Sequence, residues 1–233
     1  MAGVPRKIFI NCPFDGQYKP LFEAILFCVL DCGFLPCSAL EEDDSGDVRL
    51  LKILRLIRNC KLSIHDISRT ELDEHSGLPR FNMPFELGLF LGLRYSGLPS
   101  QAKKRCLILD RDPHRFQKYL SDIAGQDIRA HNDSAVDAIG CIRDWLRASS
   151  KHAGIPGANE IARRYDIFRQ DLPELCARTR LDHAKLTFVD YCDVVSQWLR
   201  QVPFDISQHL LSHGLRSIPA GVSRAPRDLG TLK

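Results

Sequence analysis

The sequence predicts a three-layer α/β fold built on a parallel sheet, and three observations lead to that prediction. Strand-like and helix-like segments alternate along the first 150 residues. The strand-like segments are uninterrupted apolar runs, such as KIFIN at 7–11 and RCLILD at 105–110, which are typical of strands covered on both faces. The segments between them carry apolar residues at helical spacing. Right-handed crossovers between parallel strands follow from this alternation, and five strands fit the flavodoxin-like order 2-1-3-4-5.

The elements of this sheet can be placed in order along the chain. Strands are expected at 7–11, 34–40, 61–67 and 105–110, with a weak edge strand at 127–130. Helices are expected at 18–32, 48–59, 81–93, 116–123 and 135–149. Gly33 follows the first helix where a left-handed residue is favoured. The second helix is expected to turn a basic flank to solvent, formed by Arg49, Lys52, Arg55 and Arg58.

A segment rich in small residues, Gly and Pro, at 149–159, marks a predicted boundary after an α/β domain at 1–150. Residues 151–216 are expected to form a helical regulatory or assembly region. Its helices are predicted at 159–179 and 186–201, with Pro173 interrupting the first. Residues 217–233 lack periodicity and are predicted to be a flexible tail. We expect this helical appendage to mediate homo-oligomerisation or the binding of a partner protein.

Composition excludes several classes of protein. A net charge of +3 is too small to indicate nucleic-acid binding. The nine cysteines form no CxxC pair and have no histidine cluster beside them, so we expect buried thiols in a reducing compartment and no metal site. The chain begins without a signal-peptide pattern, and no apolar run approaches the ~20 residues that span a bilayer. A cytoplasmic protein without membrane contact is expected.

Glu86 is the only charged residue in the apolar stretch FNMPFELGLFLGL at 81–93. Pro84 is compatible with a helix only in its first turn, so Asn82 is expected near the N-cap, with Glu86 one turn further on the same face. Gly88 and Gly92 are expected to let this helix lie close against the sheet. A carboxylate on so apolar a helix needs either a partner or a chemical role.

The carboxyl ends of parallel strands form a ligand crevice, and polar residues of this chain fall there. Asn11 and Asp15 flank the first strand–helix turn, where backbone amides could hold a phosphate. Asp66 and Ser68 close the third strand; Asp66 could bind ligand or cap the following turn. His65 should point to the opposite face and pack against a helix.

Three further candidates lie on the same predicted rim. Ser45 and Arg49 are at the start of the second helix, where Arg49 could bind phosphate or ribose or belong to a solvated basic face. Arg80 precedes the Glu86 helix and could clamp a pyrophosphate or remain a surface arginine. Together with Asn82, these residues complete the predicted substrate-binding set.

The order of these motifs resembles the bacterial TIR-like and nucleoside 2-deoxyribosyltransferase-like superfamily. The motifs are KIFIN followed by a helix, an acidic loop after the second strand, SIHDIS at 63–68 and NMPFELGLFLG at 82–92. The likeness covers about the first 110 residues, and the Asn-x-x-x-Glu-Leu-Gly helix is its most specific part. It implies a TIR-like fold in which Glu86 acts on the anomeric carbon of a ribosyl group and Asp66 faces the same pocket. It further implies an antiviral defence or toxin effector whose activity is gated by assembly.

This chemistry suits a site with one prominent glutamate. Cleavage of an N-glycosidic bond develops positive charge on the sugar, which a carboxylate stabilises as nucleophile or as counter-charge. Nicotinamide departs neutral from NAD, so no general acid is needed. The sequence therefore predicts an N-glycosidase with NAD as its substrate and no further cofactor. A nucleoside 2-deoxyribosyltransferase and a non-enzymatic nucleotide-sensing or scaffold module are the alternatives.

Overall fold

The parallel sheet and its predicted strand order are confirmed in a computed structural model, which describes residues 6–41, 44–72, 77–150 and 154–202. Five parallel strands lie in the order β2-β1-β3-β4-β5. They are β1 Lys7–Asn11, β2 Leu35–Cys37, β3 Leu62–Asp66, β4 Arg105–Asp110 and β5 Arg129–Ala130. The expected second strand is shortened because the chain turns at Ser38, whose carbonyl accepts a hydrogen bond from the Glu41 amide. The predicted tail at 217–233 lies outside the described residues.

Alternate residues of β1 pack into two hydrophobic cores, one on each face of the sheet. Ile8 and Ile10 pack on the side covered by α1 Lys19–Asp31 and α4 Ala135–Ser150. Phe9 packs on the opposite side, against α2 Arg49–Asn59 and α3 Asn82–Tyr95. This alternation is what a strand buried on both faces requires. Gly33 has the predicted left-handed conformation, with φ of 79°.

Two helices beyond residue 154 extend the core on the α1 side. They are α5 Ala158–Thr179 and α6 Phe188–Gln201, and one compact unit that ends at Gln201 contains both. The ring of Phe27 on α1 lies 5.3 Å from that of Phe168 and 5.9 Å from that of Trp198. Arg164 of α5 forms a buried ion pair with Asp31 at 3.0 Å. Whether these helices also act in regulation or assembly stays a prediction.

Three local expectations are wrong. α5 continues through Pro173, because burial of Leu172 and Leu175 on either side offsets the lost hydrogen bond. The expected helix at 116–123 is two short 3-10 turns, Arg115–Lys118 and Ser121–Ile123. Lys52 is buried and is not part of a solvent-facing basic flank, because it lies on the same side of α2 as the buried residues Ile53 and Leu56.

The glycines of α3 also lie on the opposite side from the one expected. Met83, Leu87 and Phe90 are buried, which places Gly88 and Gly92 on the exposed side of the helix. A Cβ atom added to either glycine would meet nothing within 4 Å. The helix therefore packs through its large apolar residues. Within the described part of the chain, no helix has both the length and the apolar character needed to cross a membrane.

Candidate functional site

The start of α3 is held at the carboxyl end of the sheet by Asn11. The Asn11 side-chain amide donates to the Met83 carbonyl at 2.9 Å and lies 2.9 Å from Nδ1 of His65, its register partner across β1 and β3. These contacts join the ends of two strands to the first turn of the helix. The chain leaves β1 towards β2 on one side and reaches β3 on the other, so this is the switch point of the sheet. Glu86, three residues after Met83, is therefore set at the rim of the crevice.

Glu86 is largely buried, but its carboxylate oxygens keep some contact with solvent and have no hydrogen-bonding partner among the described residues. The residue is 6% exposed, and no described residue donates a hydrogen bond to its oxygens. Burial raises its pKa to about 7, although the nearby positive charge of Arg49 acts to lower the pKa. Buried carboxylates with a purely structural role are normally held by donors. Glu86 can instead hold or release a proton near neutral pH and can face a positive charge on a ligand.

Asp66 is fully buried, and both of its oxygens are engaged within the protein. Oδ2 accepts a hydrogen bond from the Tyr18 hydroxyl at 2.5 Å, and Oδ1 accepts one from the Ser68 amide at 2.8 Å. His131 Nε2 lies 3.1 Å from Oδ2, off the axis of a hydrogen bond, so this contact is electrostatic. The turn-capping arrangement that the sequence left open is thus present. Contact with a ribose hydroxyl would require one of these donors to move.

Asp15 occupies the amides that a phosphate was expected to use. Its Oδ1 accepts hydrogen bonds from the amides of Gln17 and Tyr18, at 3.1 and 3.0 Å. Arg69 binds the same carboxylate at 2.7 Å. Burial acts to raise the Asp15 pKa, but the bond from Arg69 and those from the two amides hold it below its usual value. The amides of this turn are therefore already bound to the Asp15 carboxylate, so a phosphate would have to displace it.

The other predicted site residues differ in their burial and in their contacts. Arg49 is exposed and near enough to Glu86 to change its pKa. Ser68 is buried, and its carbonyl accepts a hydrogen bond from Arg115. Asn82 is the first residue of α3 after Phe81 at the cap position, and its side chain is exposed whereas that of Glu86 is buried. Two exposed residues that form no hydrogen bond or ion pair with Glu86 complete the set, Ser45 and Arg80.

His65 packs as the sequence predicts, on the face opposite to Asp66. Its ring makes edge-on contacts with Phe9 and Phe90, at centroid distances of 6.0 and 5.1 Å. Burial lowers its pKa to about 3, so the ring is neutral at physiological pH. A neutral ring can accept the hydrogen bond from Asn11, so His65 supports the residue that positions α3.

A cleft of about 630 Å³ lies beside this site, and the sequence reasoning missed most of its lining. It contains two predicted residues, Asp15 and Arg49, whereas Glu86 is outside its lining. The remaining wall comes from α1, the loop after β2 and the start of α6. Phe188 went unnoticed because the helices after residue 154 were assigned to assembly and not to ligand binding. The local sequence feature that could have indicated this cleft is Lys19, a lysine in the first turn of α1.

The described cysteines and acidic residues form no metal site. All nine cysteines are free thiols. Within the described ranges, no group of three His, Cys, Asp or Glu side chains is arranged to hold a metal ion. Cys12 is buried near both Asp66 and Glu86, and burial together with these two carboxylates raises its pKa well above the ordinary value. Its thiol is therefore protonated and chemically quiet.

Comparison with known proteins assigns this site to no group. The chain matches no protein-family model, and a search of curated proteins finds no match either. The chemistry of the site is therefore interpreted from its own geometry and from the motifs in the sequence.

Proposed function

We propose that this chain is an N-glycosidase that hydrolyses the bond between nicotinamide and ribose in NAD, with Glu86 as the reacting carboxylate. The observation that supports the proposal is the largely buried residue Glu86, whose carboxylate has no hydrogen-bond donor among the described residues and a pKa of about 7. A buried charge without a partner is costly unless a ligand supplies the opposite charge. NAD brings a pyridinium cation and develops a second positive centre at C1′ as the bond breaks.

The reaction balances without any further group. The bond between C1′ and the pyridinium nitrogen breaks, and its electron pair leaves with nicotinamide, which becomes neutral. The carboxylate of Glu86 stabilises the positive charge that develops on the ribosyl carbon. Water forms the new bond to C1′, and its proton passes to Glu86, whose pKa is suited to that transfer. Loss of this proton to solvent restores the carboxylate, so the products are nicotinamide, ADP-ribose and one proton.

The biological setting rests on the resemblance of the motifs. It supports a role as a defence or toxin effector that acts inside the cell and is switched on by self-assembly or by a partner protein. The free thiols are compatible with a reducing compartment. A self-associating NAD hydrolase is therefore the form in which activity is best sought.

The test compares two reactions and two variants. NAD, and a deoxynucleoside with an acceptor base, are offered side by side at protein concentrations that favour self-association. We expect nicotinamide release that falls at least ~100-fold in Glu86→Gln, because that variant keeps the shape of the side chain and removes the stabilising charge. Glu71→Gln is the matched control, since Glu71 is exposed and pairs with Arg111 at 2.8 Å.

Other results would overturn the proposal in distinct ways. Base exchange without nicotinamide release identifies a transferase. Equal activity of wild type and Glu86→Gln removes Glu86 as the reacting group. Inactivity on both substrates with nucleotide binding intact favours the sensing module.

A further inference from the structure

The cleft beside Glu86 has an aromatic wall, to which α1 and the start of α6 contribute. The ring of Phe22 stacks with that of Phe188 at 6.3 Å and meets that of Phe14 edge-on at 5.4 Å. Two hydrogen bonds fix α6 and the turn before it against α1: Tyr191 donates to the Glu23 carbonyl at 3.0 Å, and Lys19 donates to the Ala184 carbonyl at 2.9 Å. A preformed aromatic wall of this kind suits a planar ring.

The charges of the cleft leave one cation clearly available to a ligand. Three acidic residues line it: Asp15 is paired with Arg69 at 2.7 Å, Glu23 lies 3.8 Å from Lys19, and Glu41 is exposed to solvent. Arg49 lines the cleft and is exposed, and no described residue forms an ion pair or hydrogen bond with its guanidinium. Guanidinium groups bind phosphate oxygens in a bidentate manner. An anionic group on a ligand would therefore lie at Arg49.

The chemical groups at and beside the cleft match the parts of a dinucleotide. The cleft offers an aromatic wall and the guanidinium of Arg49, which is near enough to the Glu86 carboxyl group outside the lining to lower its pKa. NAD presents a planar base, then a pyrophosphate, then a ribosyl pyridinium. We infer that the cleft between α1 and α6 binds the adenylate half of the substrate, with the pyrophosphate on Arg49 and the reacting ribose at Glu86. This inference rests on the proposed function for the reacting end, whereas base binding in the cleft stands by itself.

The α6 side of the cleft gives the helices after residue 154 a role in recognition. The segment 186–191 supplies five of the residues that line it. Substrate selection thereby depends on a part of the chain that carries no reacting group. A nucleoside without phosphates would engage the aromatic wall but not Arg49, so it should bind more weakly than its monophosphate.

The test measures binding apart from catalysis. AMP is titrated into the full chain by calorimetry, with wild type and with Glu86→Gln, and we expect saturable binding to both. Phe188→Ala should weaken AMP binding at least ~10-fold, because the base loses the aromatic ring on which it stacks. Because Phe188 is largely buried, Phe14→Ala, at a partly exposed ring, is the second variant, and thermal unfolding checks both. Tyr95→Ala, at an exposed aromatic outside the cleft, is the control.

Kinetics with a shortened substrate separate the two proposals. We expect Phe14→Ala to raise KM for NAD about 10-fold and to leave kcat/KM for nicotinamide mononucleotide unchanged, since that substrate lacks the adenylate half. Absence of AMP binding, or equal losses on both substrates, overturns the inference even where Glu86-dependent nicotinamide release is found. AMP binding that the cleft variants abolish supports the inference even where no nicotinamide is released, and in that case the proposed reaction is what fails.

Discussion

At the scale of single residues, burial and one charged neighbour act in opposite directions on the pKa of Glu86. Burial raises its pKa to about 7, and the charge of Arg49 limits that rise. The proposed hydrolysis requires the carboxylate form, so activity should be lost as the pH falls through the pKa and should reach its plateau above it. The proposed reaction should therefore run near neutrality, because the largely buried carboxyl group of Glu86 lies close to the exposed guanidinium of Arg49.

We therefore expect kcat/KM for nicotinamide release to rise with pH and to show an inflection near pH 7. Arg49→Gln removes the charge that lowers the Glu86 pKa, so the inflection should move to higher pH. The measurement is a pH–rate profile of wild type and variant at subsaturating NAD. Arg58→Gln, at the other end of α2, is the control and should leave the inflection in place. An unmoved inflection in Arg49→Gln would mean that the titrating group is not Glu86.

At the scale of elements, Asp66 joins three parts of the fold. It closes β3, binds Tyr18 just before α1 and lies 3.1 Å from His131 just after β5. Each partner is buried. Removal of such a carboxylate leaves buried donors without an acceptor, which destabilises the native state more than the bond itself stabilises it.

Asp66→Ala should lower the free energy of unfolding by about 2–4 kcal/mol, because the Tyr18 hydroxyl and the Ser68 amide lose their acceptor. Urea unfolding monitored by circular dichroism gives this quantity. Asp112→Ala, at an exposed aspartate, is the control and should change it by less than about 0.5 kcal/mol. A variant that keeps wild-type stability but binds nucleotide poorly would instead show that Asp66 contacts the ligand.

At the scale of the whole molecule, the packing of α5 and α6 makes α1 an internal helix. Phe27 on α1 is fully buried, and its ring contacts Tyr165 and Phe168 of α5 and Trp198 of α6. The ion pair between Arg164 and Asp31 is similarly enclosed. Without these helices, an apolar face and a carboxylate would be exposed together.

A chain ending at Ser150 should therefore lose cooperative unfolding and expose apolar surface. We expect a broadened or absent thermal transition and strong binding of a hydrophobic dye, since α1 would lose its covering layer. Calorimetry and dye fluorescence of the shortened chain measure this, and a chain ending at Val202 is the control. A sharp transition at the temperature of the full chain would show that α5 and α6 form an independent unit, as the division at residue 150 predicts.

The positions of the main strands, their order in the sheet and the lone carboxylate of α3 were predictable from the sequence. β1 and β4 begin and end where the apolar runs do, and the strand order follows from the alternation of elements. The opposite orientations of His65 and Asp66 follow from the two-residue period of a strand. Glu86 was identifiable because a lone charge in an apolar helix is a local signal.

The contacts among the residues at this rim depend on the tertiary structure. Asp66 lies 48 residues from Tyr18 and 65 from His131, so no local pattern could show that they share its carboxylate. Gly88 and Gly92 face outward, and Lys52 faces inward, because the larger apolar neighbours fix the rotation of each helix. The cleft joins α1 to the start of α6, more than 160 residues away. Such contacts depend on how whole faces pack, and packing is a property that short-range periodicity does not contain.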